Sequence, residues 1–163
     1  MILRELELEN FRCFEDQTFE FPNGLIGILG PNGSGKSSLL EAIAWVFYGS
    51  SSLRTTREEL VYDGAAESAP CRAHLKFQFD QTGYEIERKM TGKSLSAQAY
   101  IRRTGGDSLA EGFQGVTEYV KNELVRMNED AFFKSVFSKQ NEVRQLSRGG
   151  AEERRQLFAK LLD

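Results

Sequence analysis

The sequence is poor in the residues that mark several specialised classes of protein. Its 163 residues include two cysteines, three prolines, one tryptophan and one histidine. Cys13 and Cys71 stand apart without a CxxC spacing, which argues against a disulfide scaffold or a thiolate zinc site and favours a reducing compartment. No apolar run approaches the roughly 20 residues that a bilayer-spanning helix needs, and Met1 is not followed by a signal-peptide pattern. We therefore expect a soluble intracellular globular domain.

Neither sign of charge dominates the sequence. The net charge is −3, which argues against nucleic-acid binding over the whole surface. The charges are unevenly spread, because residues 134–163 hold 7 basic and 4 acidic side chains. A contact with DNA or RNA must therefore come from a local patch, from a partner or from a missing segment. A solvated helix face explains the same basic cluster.

The hydrophobic pattern predicts a mixed α/β fold. Alternation at 2–9 and 17–21 predicts two strands, and the continuously apolar stretch 25–29 predicts a strand buried on both faces. Residues 37–48 are apolar nearly all round, which predicts a sandwiched helix that ends at Gly49. The remaining predicted elements are strands at 71–79, 84–90, 96–103 and around 136–137, a hairpin loop at 80–83, a loop with a short helix at 50–69, and helices at 116–127 and 151–162.

The clearest chemical motif lies at 30–37, where GPNGSGKS matches the phosphate-binding pattern G-x-x-x-x-G-K-[ST]. Glycines at 30, 33 and 35 let the backbone curl so that successive N–H groups point at one phosphate. The amino terminus of the following helix adds partial positive charge. Lys36 would reach the β- and γ-phosphates, and the Ser37 hydroxyl would ligate Mg²⁺. The plain alternative is a glycine-rich turn that binds nothing.

Residues around this loop narrow the choice among P-loop proteins. The sequence GPNGSGKSSLLEAI at 30–43 follows NFRCF at 10–14 and precedes FKSVFSKQ at 133–140 and AEERRQL at 151–157. Together these segments resemble the N-terminal ATPase segment of SMC-class, ABC-type ATPases, in particular the SbcC-type double-strand-break repair ATPases. The resemblance implies an α/β half-lobe with a mixed sheet, an antiparallel β subdomain and flanking helices. It assigns 1–150 to this half of the nucleotide-binding domain and 151–163 to a helix that leads into a coiled coil.

The resemblance also implies roles for individual residues. Arg12 would contact the triphosphate of ATP from the strand pair before the loop. Gln140 would be the Q-loop glutamine, which helps to hold Mg²⁺ and senses the γ-phosphate, so Lys36 and Gln140 are the candidate catalytic residues. The full set of implied nucleotide contacts is Arg12, Asn32, Gly33, Ser34, Gly35, Lys36, Ser37, Ser38, Tyr62, Asp63, Gly64 and Gln140. The plain alternatives are a surface arginine at 12, a solvated loop glutamine at 140 and an ordinary turn at 62–64.

Three motifs of a complete ABC ATPase are absent from the 163 residues: a Walker B strand that ends in Asp-Glu, an LSGG-type signature and a switch histidine. Gly64 stands where the catalytic glutamate of a Walker B strand belongs after 60–63, and 146–150 reads LSRGG rather than LSGG. His74 lies inside a predicted strand, where a structural role is the simpler interpretation. In the resembled family these elements lie in a C-terminal half that returns after the coiled coil. We therefore expect an ATPase that hydrolyses ATP only after joining that half.

The partners implied by the resemblance are the C-terminal half of the same ATPase, a second copy joined through ATP, a nuclease subunit and double-stranded DNA, with no membrane. The implied location is the cytoplasm, close to the nucleoid, or the nucleus of a eukaryote. Basic residues of the predicted hairpin region are candidate DNA contacts, although solvated strand charges explain them equally well: Arg88, Lys89, Lys93, Arg102 and Arg103.

Three alternative functions stay open at this stage. The first is another SMC-class recombination or repair ATPase that lacks a nuclease partner. The second is a stand-alone small P-loop kinase, which would need its own aspartate for Mg²⁺ and a substrate lid with arginines. The third is a binding module that uses nucleotide only structurally.

Overall fold

The computed structural model describes residues 1–49, 56–92, 94–127 and 132. Gln140, the strand predicted around 136–137 and the helix predicted at 151–162 lie outside these residues. The domain boundary predicted at residue 150 lies outside them as well and stays a prediction.

Six strands of the described part form one antiparallel sheet. They are β1 (Ile2–Phe11), β2 (Phe14–Glu20), β3 (Cys71–Phe79), β4 (Thr82–Thr91), β5 (Ser96–Arg103) and β6 (Ser108–Glu111). Their order in the sheet is β2-β1-β3-β4-β5-β6. The helices are α1 (Lys36–Tyr48), a 3-10 turn at Glu58–Leu60, and α2 (Phe113–Tyr119), which widens into a π-helical turn at Val120–Leu124. The predicted mixed α/β class with an antiparallel subdomain and flanking helices is confirmed.

The sheet follows from the period-two pattern of its strands. Leu6 and Leu8 of β1 are buried, whereas Glu7 between them faces the opposite side of the sheet. Leu75 and Phe77 of β3 are buried on the same side as Leu6 and Leu8. All strands predicted outside 25–29 and within the described residues are present. The additional strand β6 escaped prediction because its four residues are too few to show alternation.

The turn between β3 and β4 is tighter than the predicted loop. Thr82 and Gly83 pair with Phe79 and Gln78, so only Asp80 and Gln81 connect the strands. Both connecting residues have left-handed φ values, 45° and 64°. A two-residue turn of this hand matches the natural twist of a hairpin, which explains why the ladder continues into the predicted loop.

Helix α1 packs against β1, β3 and β4 on one side and against α2 on another. All residues from Ala42 to Tyr48 are buried, and the ring of Phe47 lies 5.1 Å from that of Phe77 on the sheet. Gly49 ends the helix with a φ of 76°, as the sequence predicts. The sandwiched environment is confirmed for the second half of the helix, whereas the first turn stays open to solvent.

Arg88 of β4 is fully buried at the carboxyl end of α1. Its guanidinium donates to the carbonyls of Val46 at 2.7 Å, Phe47 at 3.0 Å and Phe113 at 3.0 Å, and to the hydroxyl of Thr117 at 2.9 Å. Burial lowers the pKa of Arg88 to about 9, so the group is still charged at neutral pH. A cation suits the partial negative charge of a helix carboxyl end. The prediction that Arg88 is a DNA contact is therefore wrong.

The strand predicted at 25–29 is also wrong. These residues form no regular structure, Leu25 is fully exposed and Leu29 is 94% exposed. A strand needs a neighbour that pairs with its N–H and C=O groups. Among the described residues, the six paired strands form a single sheet that does not include 25–29. The apolar pattern is present, but none of the six described strands pairs with 25–29.

The amphipathic helix predicted at 116–127 begins earlier, at Phe113. Val116, Val120 and Leu124 are buried as predicted. The N–H of Val125 donates to the carbonyl of Val120, five residues back. The helix ends at Leu124 rather than at 127, and Arg126 has a left-handed φ of 54°, so Met127 lies beyond the helix and is 41% exposed. No helix in the described ranges has the length and apolarity needed to cross a membrane.

Candidate nucleotide-binding site

The loop before α1 has the backbone that a phosphate-binding loop needs. Gly33 and Gly35 adopt left-handed φ values of 84° and 89°, a region that glycine enters without a steric penalty. The N–H of Ser34 donates to the carbonyl of Pro31 at 3.3 Å and closes a tight turn. A Cβ on Gly30 would lie 2.6 Å from the Ser34 hydroxyl. Left-handed φ values thus explain Gly33 and Gly35, and a side chain at Gly30 would crowd the Ser34 hydroxyl.

The amino terminus of α1 opens towards solvent at this loop. Its cap residue Gly35 provides no side chain to accept from the first-turn N–H groups, and the first turn contains no acidic residue. First-turn N–H groups have no acceptor within their own helix. Residues 31–34 and Ser37 are exposed, and Ser38 is half-buried. The loop therefore presents backbone donors and partial positive charge to an incoming anion.

Lys36 lies back across the same loop. Its Nζ donates to the carbonyl of Gly30 at 2.8 Å and to that of Pro31 at 2.6 Å, and it lies 3.5 Å from the Ser34 hydroxyl. These contacts hold the ammonium group against the loop, at the place where the motif requires a cation. A phosphate oxygen would replace carbonyl oxygens as its acceptor.

The turn between β1 and β2 packs directly on the loop. A Cβ on Gly35 would lie 2.7 Å from the sulfur of Cys13 and 2.7 Å from the ring of Phe14. The neighbouring residue Arg12 has a left-handed φ of 55°, and its N–H donates to the carbonyl of Leu60 at 2.7 Å. Glycine is thus required at 35 by both its φ and its space, and this turn joins the loop to the segment around residue 60.

The side chain of Arg12 is held against α1. Its Nε and Nη2 lie 3.0 Å and 2.9 Å from one oxygen of Glu41, and its Nη1 donates to the carbonyl of Glu59 at 3.1 Å. Its side chain is 20% exposed, so the alternative of an ordinary surface arginine is a poor description. Glu41 was not predicted as a site residue. Its isolated charge in the apolar stretch 37–48 is the signal that could have found it.

Tyr62, Asp63 and Gly64 lie beside the end of β1. The N–H of Tyr62 donates to the carbonyl of Asn10 at 2.9 Å, and the Tyr62 ring lies so close to Gly64 that a Cβ there would be 2.6 Å away. Asp63 and Gly64 are exposed in a turn. The structure therefore brings this turn next to Arg12, while its contact with a nucleotide stays a prediction.

The described residues fit the phosphates of a nucleotide better than they fit a metal ion alone. The loop supplies backbone donors, a lysine and left-handed glycines, all of which suit a phosphate. For Mg²⁺ the same region supplies the exposed hydroxyl of Ser37. No group of three or more His, Cys, Asp or Glu residues in the described ranges is arranged to hold a metal. A magnesium ion would therefore depend on phosphate oxygens and water for most of its ligands.

Comparisons with known proteins identify the family of the chain. A family model described as AAA domain matches residues 5–163. A "DNA double-strand break repair Rad50 ATPase" from Thermoplasma volcanium is 30% identical over 165 residues, which cover 100% of this chain and 18% of that protein. The chain thus spans less than a fifth of the length of the curated relatives it matches.

Solved structures support the fold. The SMC head domain from Thermotoga maritima matches with a TM-score of 0.53 and 22% identity, over 82% of this chain and 56% of that one. A structure titled as the recombination mediator protein RecF with ATP matches with a TM-score of 0.52 and 28% identity, over 66% of this chain and 27% of that one. The chain therefore belongs to the AAA domain family and, as its motifs predict, corresponds to the N-terminal ATPase segment of SMC-like repair ATPases.

Proposed function

We propose that this chain is the ATP- and Mg²⁺-binding N-terminal lobe of an SMC-like double-strand-break repair ATPase. It hydrolyses ATP after pairing with a C-terminal lobe, and it dimerises through ATP to control DNA binding and a partner nuclease. The observation that carries the proposal is the loop at 30–37, with left-handed Gly33 and Gly35 and with Lys36 across it. The repair function rests on the printed name of the Thermoplasma relative.

The residues around the loop divide the work of binding. Backbone N–H groups between 32 and 38 donate to phosphate oxygens, and Lys36 exchanges its carbonyl acceptors for the β- and γ-phosphates. The Ser37 hydroxyl would be one protein ligand to Mg²⁺, which neutralises phosphate charge when bound. Gln140, by resemblance, helps to hold Mg²⁺ and senses the γ-phosphate.

Pairing with a C-terminal lobe is supported by the segment 25–29. Large apolar side chains there face water, among them Leu25 and Leu29. Burying one such side chain is worth about 1.5–3 kcal/mol. The second lobe would cover these exposed side chains. The same lobe would bring the Walker B, signature and switch-histidine elements that the 163 residues lack.

DNA binding would depend on a small number of basic side chains. Arg102 is paired with Glu85 at 2.7 Å and Arg88 is buried, whereas Arg103 is exposed. Lys89 and Arg103 are therefore the remaining described candidates, and Lys93 lies outside the described residues. Contacts of this kind with phosphates weaken steeply as the salt concentration rises. A location near DNA, in the cytoplasm or the nucleus, belongs to the same proposal.

A second candidate function has some support from the solved structures. The structure that is 28% identical to this chain is titled as the recombination mediator protein RecF with ATP. A recombination or repair ATPase without a nuclease partner would present the same nucleotide site. Co-purification of the full-length protein with a nuclease subunit would separate the two candidates.

Calorimetric titration of the full chain with ATP, with and without Mg²⁺, tests the nucleotide site directly. Lys36→Ala should abolish binding, because the loop loses its cation, and the matched Lys121→Ala on the π-helical turn should bind as the parent does. ATP binding unchanged by Lys36→Ala would contradict the proposal. Rapid transfer of phosphate from ATP to a nucleoside or small metabolite would instead identify a kinase.

A further inference from the structure

The side chain of Arg12 is already engaged by protein groups next to the loop. Its Nε and Nη2 meet the same Glu41 oxygen at 3.0 Å and 2.9 Å, and its Nη1 meets the Glu59 carbonyl at 3.1 Å. The two charged side chains are 20% and 36% exposed. This pair is partly shielded from water, so its charges attract each other more strongly than a fully exposed pair would.

The position of Glu41 on α1 places this pair at the edge of the phosphate site. Ser37 and Glu41 are four residues apart, so they lie on the same face of the helix, one turn from each other. The backbone turn that carries Arg12 packs on Gly35 through the adjacent Cys13. Arg12 is thus one helical turn away from the first-turn groups that would receive the phosphates.

We propose that Glu41 is a positioning residue that competes with the triphosphate for Arg12. Without nucleotide, the Glu41 carboxylate holds the guanidinium on the second turn of α1. When a triphosphate occupies the loop, Arg12 exchanges the carboxylate for a phosphate oxygen. The inference deepens the proposed function and rests on it, because the exchange requires a triphosphate at 30–37.

The exchange would favour ATP over ADP. The γ-phosphate offers the additional anionic oxygens that replace the carboxylate, and ADP lacks them. Breaking the Arg12–Glu41 ion pair offsets part of this gain. For a partly exposed pair, the cost corresponds to a roughly 2- to 5-fold weaker affinity for ATP. The backbone of Arg12 stays fixed by its hydrogen bond to Leu60 and by its left-handed φ, so losing Glu41 would leave the guanidinium near the loop.

The test measures dissociation constants for ATP and ADP in the full chain with four proteins: the parent, Glu41→Gln, Arg12→Ala and the double variant. Glu41→Gln should tighten ATP binding by roughly 2- to 5-fold and leave ADP binding nearly unchanged. The gain should vanish when Arg12 is also replaced. Glu58→Gln is the control for net charge. It removes an exposed carboxylate next to Glu59 and should change the dissociation constant of neither ATP nor ADP. Glu41→Asp, which keeps the carboxylate, should retain most of the parental ratio of ATP affinity to ADP affinity.

Two results would overturn the inference while leaving the nucleotide site intact. One is weaker ATP binding in Glu41→Gln. The other is an equal gain for ATP and ADP that persists without Arg12, because that pattern reflects general charge repulsion. If the parent protein binds no ATP and behaves like Lys36→Ala, the proposed function fails and this inference fails with it.

Discussion

Two apolar segments of this chain have opposite environments. In β3, Leu75 and Phe77 are buried between neighbouring strands and α1, whereas Leu25 and Leu29 of the segment 25–29 are almost fully exposed. Both segments have a sequence pattern suited to a strand. The difference lies in their neighbours, because β1 and β4 pair with β3 while the sheet described here does not include 25–29. An apolar pattern therefore predicts a need for burial, and only pairing satisfies it.

The buried and exposed regions also differ in what they determine, because one sets the stability of the chain and the other sets ligand binding. The sheet and the second half of α1 hold the buried side chains, while the loop at 30–37 holds the exposed donors. Substitutions in the first region should change the free energy of unfolding. Substitutions of the exposed side chains in the second region should change ligand affinity with little effect on unfolding.

The largest expected effect is at Arg88, which ties the buried region together. Arg88→Met removes the donors that satisfy three backbone carbonyls and a hydroxyl, and each buried acceptor left without a donor costs about 1–3 kcal/mol. We expect a loss of about 3–5 kcal/mol in the free energy of unfolding, measured with urea. Arg103→Met, on the exposed end of β5, should stay within about 0.5 kcal/mol of the parent. Equal losses in the two variants would contradict the role given to Arg88.

A matched pair of leucines tests the comparison most directly. Leu75→Ala should cost about 2–5 kcal/mol, because a buried side chain is lost and a cavity remains. Leu29→Ala should change the free energy of unfolding of the chain by less than about 0.5 kcal/mol, because the side chain already faces water. Addition of a C-terminal lobe should make Leu29→Ala costly, and a large cost without that lobe would show that 25–29 is already buried.

Two glycine substitutions compare a tightly packed position in the loop with an open position in α2. Gly35→Ala places a methyl group against Cys13 and Phe14 at a φ of 89°, which should cost about 1–3 kcal/mol and weaken nucleotide binding. Gly115→Ala in α2 meets no atom within 4 Å, so it should stabilise the chain by up to about 1 kcal/mol. Thermal unfolding and calorimetric titration measure both effects. A Gly35→Ala variant with parental stability and affinity would be inconsistent with the close packing of the turn on the loop.

The smallest effect concerns pH and the two cysteines. Burial raises the pKa of Cys71 to about 12, whereas an unfolded thiol ionises near pH 8.5. The unfolded chain therefore loses a proton first as pH rises, and stability should fall above pH 8.5 by up to about 1.4 kcal/mol per pH unit. The difference between the parent and Cys71→Ala isolates this slope from other groups. Cys13→Ala, at an exposed thiol, controls for the loss of a sulfur atom elsewhere in the chain.

The sequence predicts what depends on local pattern. Alternation locates β1 and β3 to β5, and the motif locates the loop and the start of α1 to within a residue. The pairing of Arg12 with Glu41 escaped because it joins residues 29 positions apart. The burial of Arg88 was within reach, because it shares the inward parity of Ile86 and Met90 in β4. The environment of 25–29 depends on neighbours that no local pattern encodes.

The two ends of α1 give this helix a mechanical role. Its amino end carries the phosphate loop, and its carboxyl end is clamped by Arg88 to β4 and to α2. Because the helix is held at its carboxyl end and carries the ligand-binding loop at its amino end, it can transmit movement along its axis like a strut. A shift of the loop on binding a ligand would therefore be transmitted to β4 and α2 at the other end of the helix, some 20 Å away for a helix of 13 residues.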